Sequence, residues 1–334
     1  MSESSCREKG KSDLSAEVHR MEMPVNWPPG HVAMYLIDAE ETVLVDAGVP
    51  GDDERELLDE NLGEIGFSVG DVEHLIITHP HIDHVGQAKP FIEEGATVYA
   101  IGGAGKYLDP AGWEDTFYES FQELGIPESF RDNAAKEILD TFGTSNESLP
   151  PEQIDVHLEP GQSFEVGGVE FDTVHTPGHQ ERHLCFETCI DGERVMFSGD
   201  MVIGTFRALT YNESFSPGMY EGIEMYYEGY ERLEGRDVDR VYPGHGPVFD
   251  DYDEAIHDSL DDLDRRVEET YEALEKEDEG QTSLEVAMTC VHGDMNKVRQ
   301  NLLDFAGALG YLESQGNAVS EIDDDGMRRF RLDD

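Results

Sequence analysis

Short apolar runs and amphipathic stretches alternate along this chain, the pattern of a mixed α/β protein. Val32–Ile37 and Thr42–Val45 read as strands joined by a turn at 38–41. Asp52–Ile65 carries Leu57, Leu58, Leu62 and Ile65 at helical spacing, and Gly66 stops it. His74–Thr78 predicts a strand, Val85–Glu94 a helix and Thr97–Ala100 another strand. Residues 104–148 are expected to be mostly helical, with Tyr107, Trp113, Phe117, Tyr118, Phe121 and Phe130 among them. Such an insertion builds its own small core, a lid, or both. Five strand-like runs follow between Val156 and Ser198, with turns at Gly161, Gly167-Gly168 and Asp191-Gly192. Tyr220–Leu233 reads as a helix, and Val241-Tyr242 as a short strand entering Pro243-Gly244-His245-Gly246-Pro247.

Ile256, Leu260, Leu263, Val267, Tyr271 and Leu274 then line one face of a long helix, and the polar stretch 275–281 marks a boundary. Beyond it Thr282–Met288 predicts a short helix. Val298, Leu302, Phe305, Leu309 and Leu312 predict a longer one, closed by Gly316. Two strands, Ala318–Ile322 and Met327–Leu332, flank an Asp-Asp-Asp-Gly turn. Helices followed by a hairpin give the outline of a winged helix. The expected division is a disordered tail at 1–15, a main domain at 16–250, a connecting helix and linker at 251–281, and a winged-helix-like unit at 282–334.

Charge narrows the partners. The chain has 75 acidic and 23 basic residues, a formal net charge of −52, with the carboxylates spread along its length. Polyanion binding needs Lys and Arg, so a general nucleic-acid role is disfavoured. Dispersed acid suits concentrated salt, where repulsion is screened over about 3 Å at 1 M; a halophilic origin is expected. The C-terminal unit is acidic too, although Arg328, Arg329 and Arg331 cluster on one hairpin strand and keep nucleic acid open as a partner there. The first fifteen residues lack the apolar core of a signal peptide. No run of eighteen apolar residues occurs, so no membrane span is expected and the expected location is cytoplasmic. Cys6, Cys185, Cys189 and Cys290 show no CxxC spacing. Neither a zinc ribbon nor a disulfide framework is expected, and Cys185 and Cys189 read as core thiols in a reducing compartment.

The chemistry concentrates at the end of the His74–Thr78 strand, in His79-Pro80-His81-Ile82-Asp83-His84. Imidazole and carboxylate are the donors that Zn²⁺ and similar cations prefer. Three more such residues stand at strand ends downstream: His179 after Thr176-Pro177-Gly178, Asp200 after Phe197-Ser198-Gly199, and His245 in the Pro-Gly-His-Gly turn.

In this order, HxHxDH, H, D and H resemble the metallo-β-lactamase superfamily, close to glyoxalase II-like hydrolases, over roughly residues 20–250. The resemblance implies a four-layered αβ/βα sandwich with two metals at one rim of the sheets. It implies that His79, His81 and His179 bind one metal, that Asp83, His84 and His245 bind the second, and that Asp200 bridges them. The implied cofactors are two divalent ions, zinc first, with iron or manganese as alternatives. Two metals about 3.5–4 Å apart can share a hydroxide at neutral pH, which Asp83 could orient as the catalytic carboxylate. Asp46 is expected to support the ligands rather than bind metal, and His175 to sit behind them or in the core. His183, Arg207 and Tyr211 are candidate substrate contacts, on sequence proximity to the ligands; for His183 a packing role is the alternative.

The expected activity is hydrolysis of a small ester, thioester or lactone. The domain order also resembles β-lactamase-like protein 2-type members, which implies single-strand-specific RNA cleavage as the alternative. A mono-iron persulfide dioxygenase ranks lower, because Asp83, His84 and His245 argue for a second metal. A scaffold without chemistry is disfavoured, because no ligand is missing. A small molecule is the expected partner, and a second copy of the chain is a further candidate.

Overall fold

Six strands form the first sheet in chain order: β1 (Glu17–Pro24), β2 (His31–Asp38), β3 (Val43–Val45), β4 (His74–Ile76), β5 (Thr97–Ile101) and β6 (Val156–Leu158). This computed structural model describes residues 16–108, 113–210, 218–277 and 279–333. The tail expected at 1–15 and the candidate Tyr211 lie outside the described residues. β1 to β3 pair antiparallel and β3 to β6 parallel. Parallel neighbours require crossovers, and helices supply them. They are α1 (Asp52–Glu64) before β4, then α2 (Ile82–Val85) and α3 (Ala88–Glu94) before β5. The segment between β5 and β6 holds α4 (Gly105–Leu108), α5 (Glu114–Glu123) and α6 (Glu128–Ser148).

The second sheet contains β7 (Ser163–Val166), β8 (Val169–His175), β9 (Leu184–Ile190), β10 (Glu193–Gly199) and β11 (Arg240–Pro243), in the order β11-β10-β9-β8-β7. Only its β10–β11 pair is parallel, bridged by α7 (Gly222–Leu233). Alternation along a strand sends successive side chains to opposite faces. In β10, Val195 and Phe197 therefore meet Leu36 and Leu75 of the first sheet. Met196 between them packs with Tyr226 and Tyr230 of α7 and Leu263 of α8 (Tyr252–Leu274). Leu58 and Leu62 of α1 and Phe91 of α3 complete the apolar cluster of the first sheet. The layers run helix, sheet, sheet, helix, as the sequence resemblance implies.

After α8 come α9 (Ser283–Cys290), α10 (Met295–Ser314) and an antiparallel hairpin of β12 (Ala318–Ile322) and β13 (Arg328–Leu332). Thr282 and Glu285 form a reciprocal capping box at the start of α9. α10 packs against both α7 and α8, and Phe305, Leu309 and Phe330 share a core with Ala273 and Leu274 of α8. Phe117 and Phe121 of α5 pack with Ala306 of α10. α6 packs against α2.

Three features differ from the sequence expectation. β1 was not foreseen; its inward Met21 and Met23 alternate with polar neighbours, and it pairs with β2 along its whole length. The helix expected over 85–94 breaks at Gly86-Gln87 into α2 and α3. The break lets the chain approach residues 49–50 closely: a Cβ on Gly86 would lie 2.2 Å from the backbone nitrogen of Pro50. Cys185 is the buried free thiol expected, whereas Cys189 is disulfide-bonded rather than free. Among the described residues no helix is long and apolar enough to cross a membrane.

Candidate metal centre

The seven ligand-type residues expected from the motifs lie just past the carboxyl ends of β4, β8, β10 and β11, and the fold brings them together. The ligand-type atoms of His79, His81 and His179 lie within 4.8 Å of one another. Those of Asp83, His84 and His245 form a second such group, and His79, His84 and Asp200 a third. In the first, His81 Nδ1 is 3.0 Å from His79 Nε2 and 2.9 Å from His179 Nε2. In the second, His245 Nε2 is 3.3 Å from Asp83 Oδ2. Asp200 spans both: its carboxylate is 3.4 Å from His84 Nε2, 3.4 Å from His179 Nε2 and 3.2 Å from His245 Nε2.

Each of four rings is fixed through its other nitrogen. His179 Nδ1 donates to the Leu209 carbonyl and His245 Nδ1 to the His31 carbonyl, both at 2.7 Å. His84 Nδ1 donates to Asp46 Oδ2 at 2.8 Å. Thr78 Oγ1 gives its hydrogen to the same Asp46 oxygen, so it accepts from His79 Nδ1 at 3.0 Å. These partners occupy Nδ1 and leave the four Nε2 atoms facing inward, where a cation can take the place of a proton, as metal-binding histidines require. His84 Nε2 and Asp200 Oδ1 are buried with no hydrogen-bond partner. Unpaired buried polar atoms are costly, and a cation between these two would satisfy both. The donor set fits divalent metal on this ground.

The electrostatics divide the site. Burial, with His81 alongside, pushes His179 down to about 3, and burial with His84 and His81 holds His79 well below the usual histidine range. For His84 burial opposes charging, but Asp200, Asp46 and Asp83 outweigh it and raise the ring well above that range. Burial likewise opposes His245, yet Asp200 and Asp83 push it up to about 10. Burial opposes ionisation of Asp83, but His84 and His245 hold it at about 2. For Asp200 His245 and His84 overcome burial in the same way. The field that retains protons between His84, His245 and the two carboxylates would also retain a cation.

Glycines in the motifs make room for this. A Cβ on Gly244 would lie 2.4 Å from Asp200 Oδ1 and 2.8 Å from His84 Cε1. The Pro-Gly-His-Gly turn is also tied to the other sheet, by Ala33 N–H to the Gly244 carbonyl and Tyr35 hydroxyl to the Pro243 carbonyl, both 2.7 Å.

The supporting residues are partly as expected. Asp46 sits behind the ligands with φ of 60°, accepting from the Thr78 amide and hydroxyl as well as from His84. His175 contacts the Glu181 carbonyl through Nε2 at 2.9 Å. His183 is not a substrate contact. It is fully buried, its Nε2 accepts from the Asp200 amide at 3.1 Å, and its Nδ1 donates to Thr176 Oγ1 at 2.7 Å. Arg207 is not one either: its side chain is buried against Asp304 and Asp262. Sequence reasoning missed Thr78, Leu209 and Asp304. Thr78 stood in the motif, but nothing local marks the other two.

The metallo-beta-lactamase superfamily pattern matches residues 27–245. A probable metallo-hydrolase of Bacillus subtilis, YqjP, is 24% identical over 270 residues, 78% of this chain and 81% of that protein. An atrochrysone carboxyl ACP thioesterase of Cryptosporiopsis, dmxR1, is 22% identical over 265 residues, 76% of this chain and 64% of its own length. A beta-lactamase-like protein 2 homolog of Caenorhabditis elegans is 25% identical over 244 residues, 73% of this chain and 65% of its own. The chain thus spans less than two thirds of the latter two. The crystal structure of a metallo-beta-lactamase family protein from Thermus thermophilus superposes with a TM-score of 0.78 at 21% identity, covering 95% of this chain and 98% of that one. The fold implies divalent metal, and the His/Asp groups stand where it would bind. This chain belongs to the metallo-beta-lactamase superfamily.

Proposed function

We propose that this chain is a binuclear metallo-hydrolase acting on a small ester, thioester or lactone. One observation carries the reading: the Asp200 carboxylate lies within 3.4 Å of imidazoles from both triads, which favours a second cation beside the first. The grouping of Asp83, His84 and His245 favours a second cation over a mono-iron oxygenase. When bound, a divalent pair brings the pKa of water to about 7 and polarises a carbonyl oxygen. Asp83, buried and ionised beside His245, accepts a hydrogen bond from the attacking water and aims it. His79, His81 and His179 would hold one ion and Asp83, His84 and His245 a second, with the Asp200 carboxylate beside both groups. The thioesterase named among the relatives supports an acyl substrate. RNA cleavage is the competing reading. The hairpin arginines favour it little, because Arg328 pairs with Glu123 and Arg329 with Asp323 and Glu285. The net charge of −52 suits a cytosol of concentrated salt.

The test is metal analysis together with a panel of ester, thioester, lactone and single-stranded RNA substrates in molar KCl. The reading expects about two metal equivalents per chain, acyl hydrolysis, and its loss in Asp83→Ala. A single iron with oxygen uptake on a persulfide would overturn it. So would RNA cleavage with no acyl hydrolysis.

A further inference from the structure

Asp304 is a fully buried carboxylate on α10, 97 positions from the arginine it binds. Its Oδ1 accepts from Arg207 Nη1 at 3.2 Å and from the amide and hydroxyl of Thr210, both at 2.9 Å. Its Oδ2 accepts from Arg207 Nη2 at 2.6 Å and Arg266 Nε at 3.0 Å. A buried charge is tolerated when paired and hydrogen-bonded in this way. Yet apolar packing would hold α10 to the body at least as well.

What distinguishes the arrangement is where its donors sit. Arg207 and Thr210 bracket Ala208-Leu209. The Ala208 carbonyl accepts from Arg207 Nη1 at 2.9 Å and from the Tyr226 hydroxyl at 2.7 Å. The next carbonyl, that of Leu209, accepts from His179 Nδ1 at 2.7 Å. This carbonyl decides which nitrogen of His179 faces the other ligands. A continuous set of hydrogen bonds therefore runs from the C-terminal helix to one imidazole of the centre.

We propose that Asp304 is a positioning residue for His179, acting through Arg207 and Thr210 on the Leu209 carbonyl. The proposal rests on the reading of His179 as a ligand. It gives residues 282–334 a part in the metal centre, separate from any partner they bind.

The test is Co(II) titration of the metal-stripped full chain, with visible spectra and chelator competition to resolve two affinities, beside urea unfolding. Loss of an outer partner costs about 10–100-fold in metal affinity, and this one acts at one remove, so about tenfold is expected for Thr210→Val. Only one of the two Co(II) affinities should fall, with an altered spectrum, and Thr210→Ser should restore it. Phe330→Leu, in the C-terminal core and hydrogen-bonded by side chain to none of these groups, should lower the urea midpoint with both affinities intact. Asp304→Asn should exceed Thr210→Val at the same position; should it not fold, the Thr210 pair decides. Unchanged affinities in Thr210→Val, equal loss at both positions, or the same loss in Phe330→Leu would overturn the proposal. Wild-type chain that binds no Co(II) overturns the hydrolase reading along with it. Wild type and Thr210→Val that bind two ions alike overturn this proposal alone.

Discussion

Replacing Asp46 by asparagine should weaken one metal position while the fold stays in place. Asp46 accepts three hydrogen bonds, Oδ1 from the Thr78 amide, and Oδ2 from the Thr78 hydroxyl and His84 Nδ1, each at 2.8 Å. A backbone amide can only donate, so the oxygen of an asparagine must stay opposite the Thr78 N–H. Its NH₂ then occupies the other side. The Thr78 hydroxyl can accept one of the new hydrogens on its second lone pair while still accepting from His79 Nδ1, and its own hydrogen then loses its acceptor. His84 Nδ1 must accept the second, which moves the ring proton to Nε2, the atom that faces Asp200 and Asp83. That nitrogen then has no lone pair for a cation. Loss of an outer partner lowers metal affinity about 10–100-fold, or about 1.4–2.7 kcal/mol. Only the Thr78 hydroxyl hydrogen is left without an acceptor, so stability should fall by about 1–2 kcal/mol. Asp46→Ala instead strands three donors, at about 1 kcal/mol each or about 3 kcal/mol together. The assay is metal content after dialysis against graded chelator, with urea midpoints on the same samples. Asp46→Asn that keeps both metals at wild-type affinity would refute the tautomer argument. Loss of both metals in step with stability would reduce Asp46 to a packing residue.

Gly244→Ala should cost about a hundredfold or more in activity, since its Cβ would press on Asp200 Oδ1 and His84 Cε1 and misplacements near 1 Å carry such losses; kcat with an acyl substrate checks it, and wild-type turnover would count against the packing argument. The metal-free protein should lose stability as pH rises. His245 is raised to about 10 when folded against about 6.5 unfolded, so its contribution is whole below about 6.5 and gone above about 10. Urea midpoints from pH 6 to 10 should fall without metal and hold with it, because the cation takes the proton's place. A flat metal-free profile would contradict the sign.

Much of the centre was legible because its ligands stand at strand ends within short motifs, and the strands themselves show in the alternation. What was hidden depends on distance in sequence. Arg207, seven positions past Asp200, looked like a substrate contact, but Asp304 on α10 claims it. His183 stood between a substrate contact and a packing residue, and both of its nitrogens are occupied, by Thr176 and by the Asp200 amide. No local pattern announces either partner. The helix break at Gly86 follows from the backbone of residues 49–50, which only the tertiary fold brings close. β1 was missed for a different reason. Its period-two signal is short, and an edge strand need bury only one face.

Each triad draws two ligands from the first sheet's half of the chain and one from the second: His79 and His81 with His179, Asp83 and His84 with His245. Neither half can complete a cation position alone. The stitches between them, such as the Tyr35 hydroxyl on the Pro243 carbonyl, close loops of more than two hundred residues, and contacts of that range are slow to form. A cation bound there would therefore favour the docked halves over their separated forms, by about 2.7 kcal/mol for one ion at a hundred times its dissociation constant. Such a centre would be a rivet as well as a reagent: two complementary fragments cut between the sheets should reassemble when metal is supplied and drift apart when it is chelated.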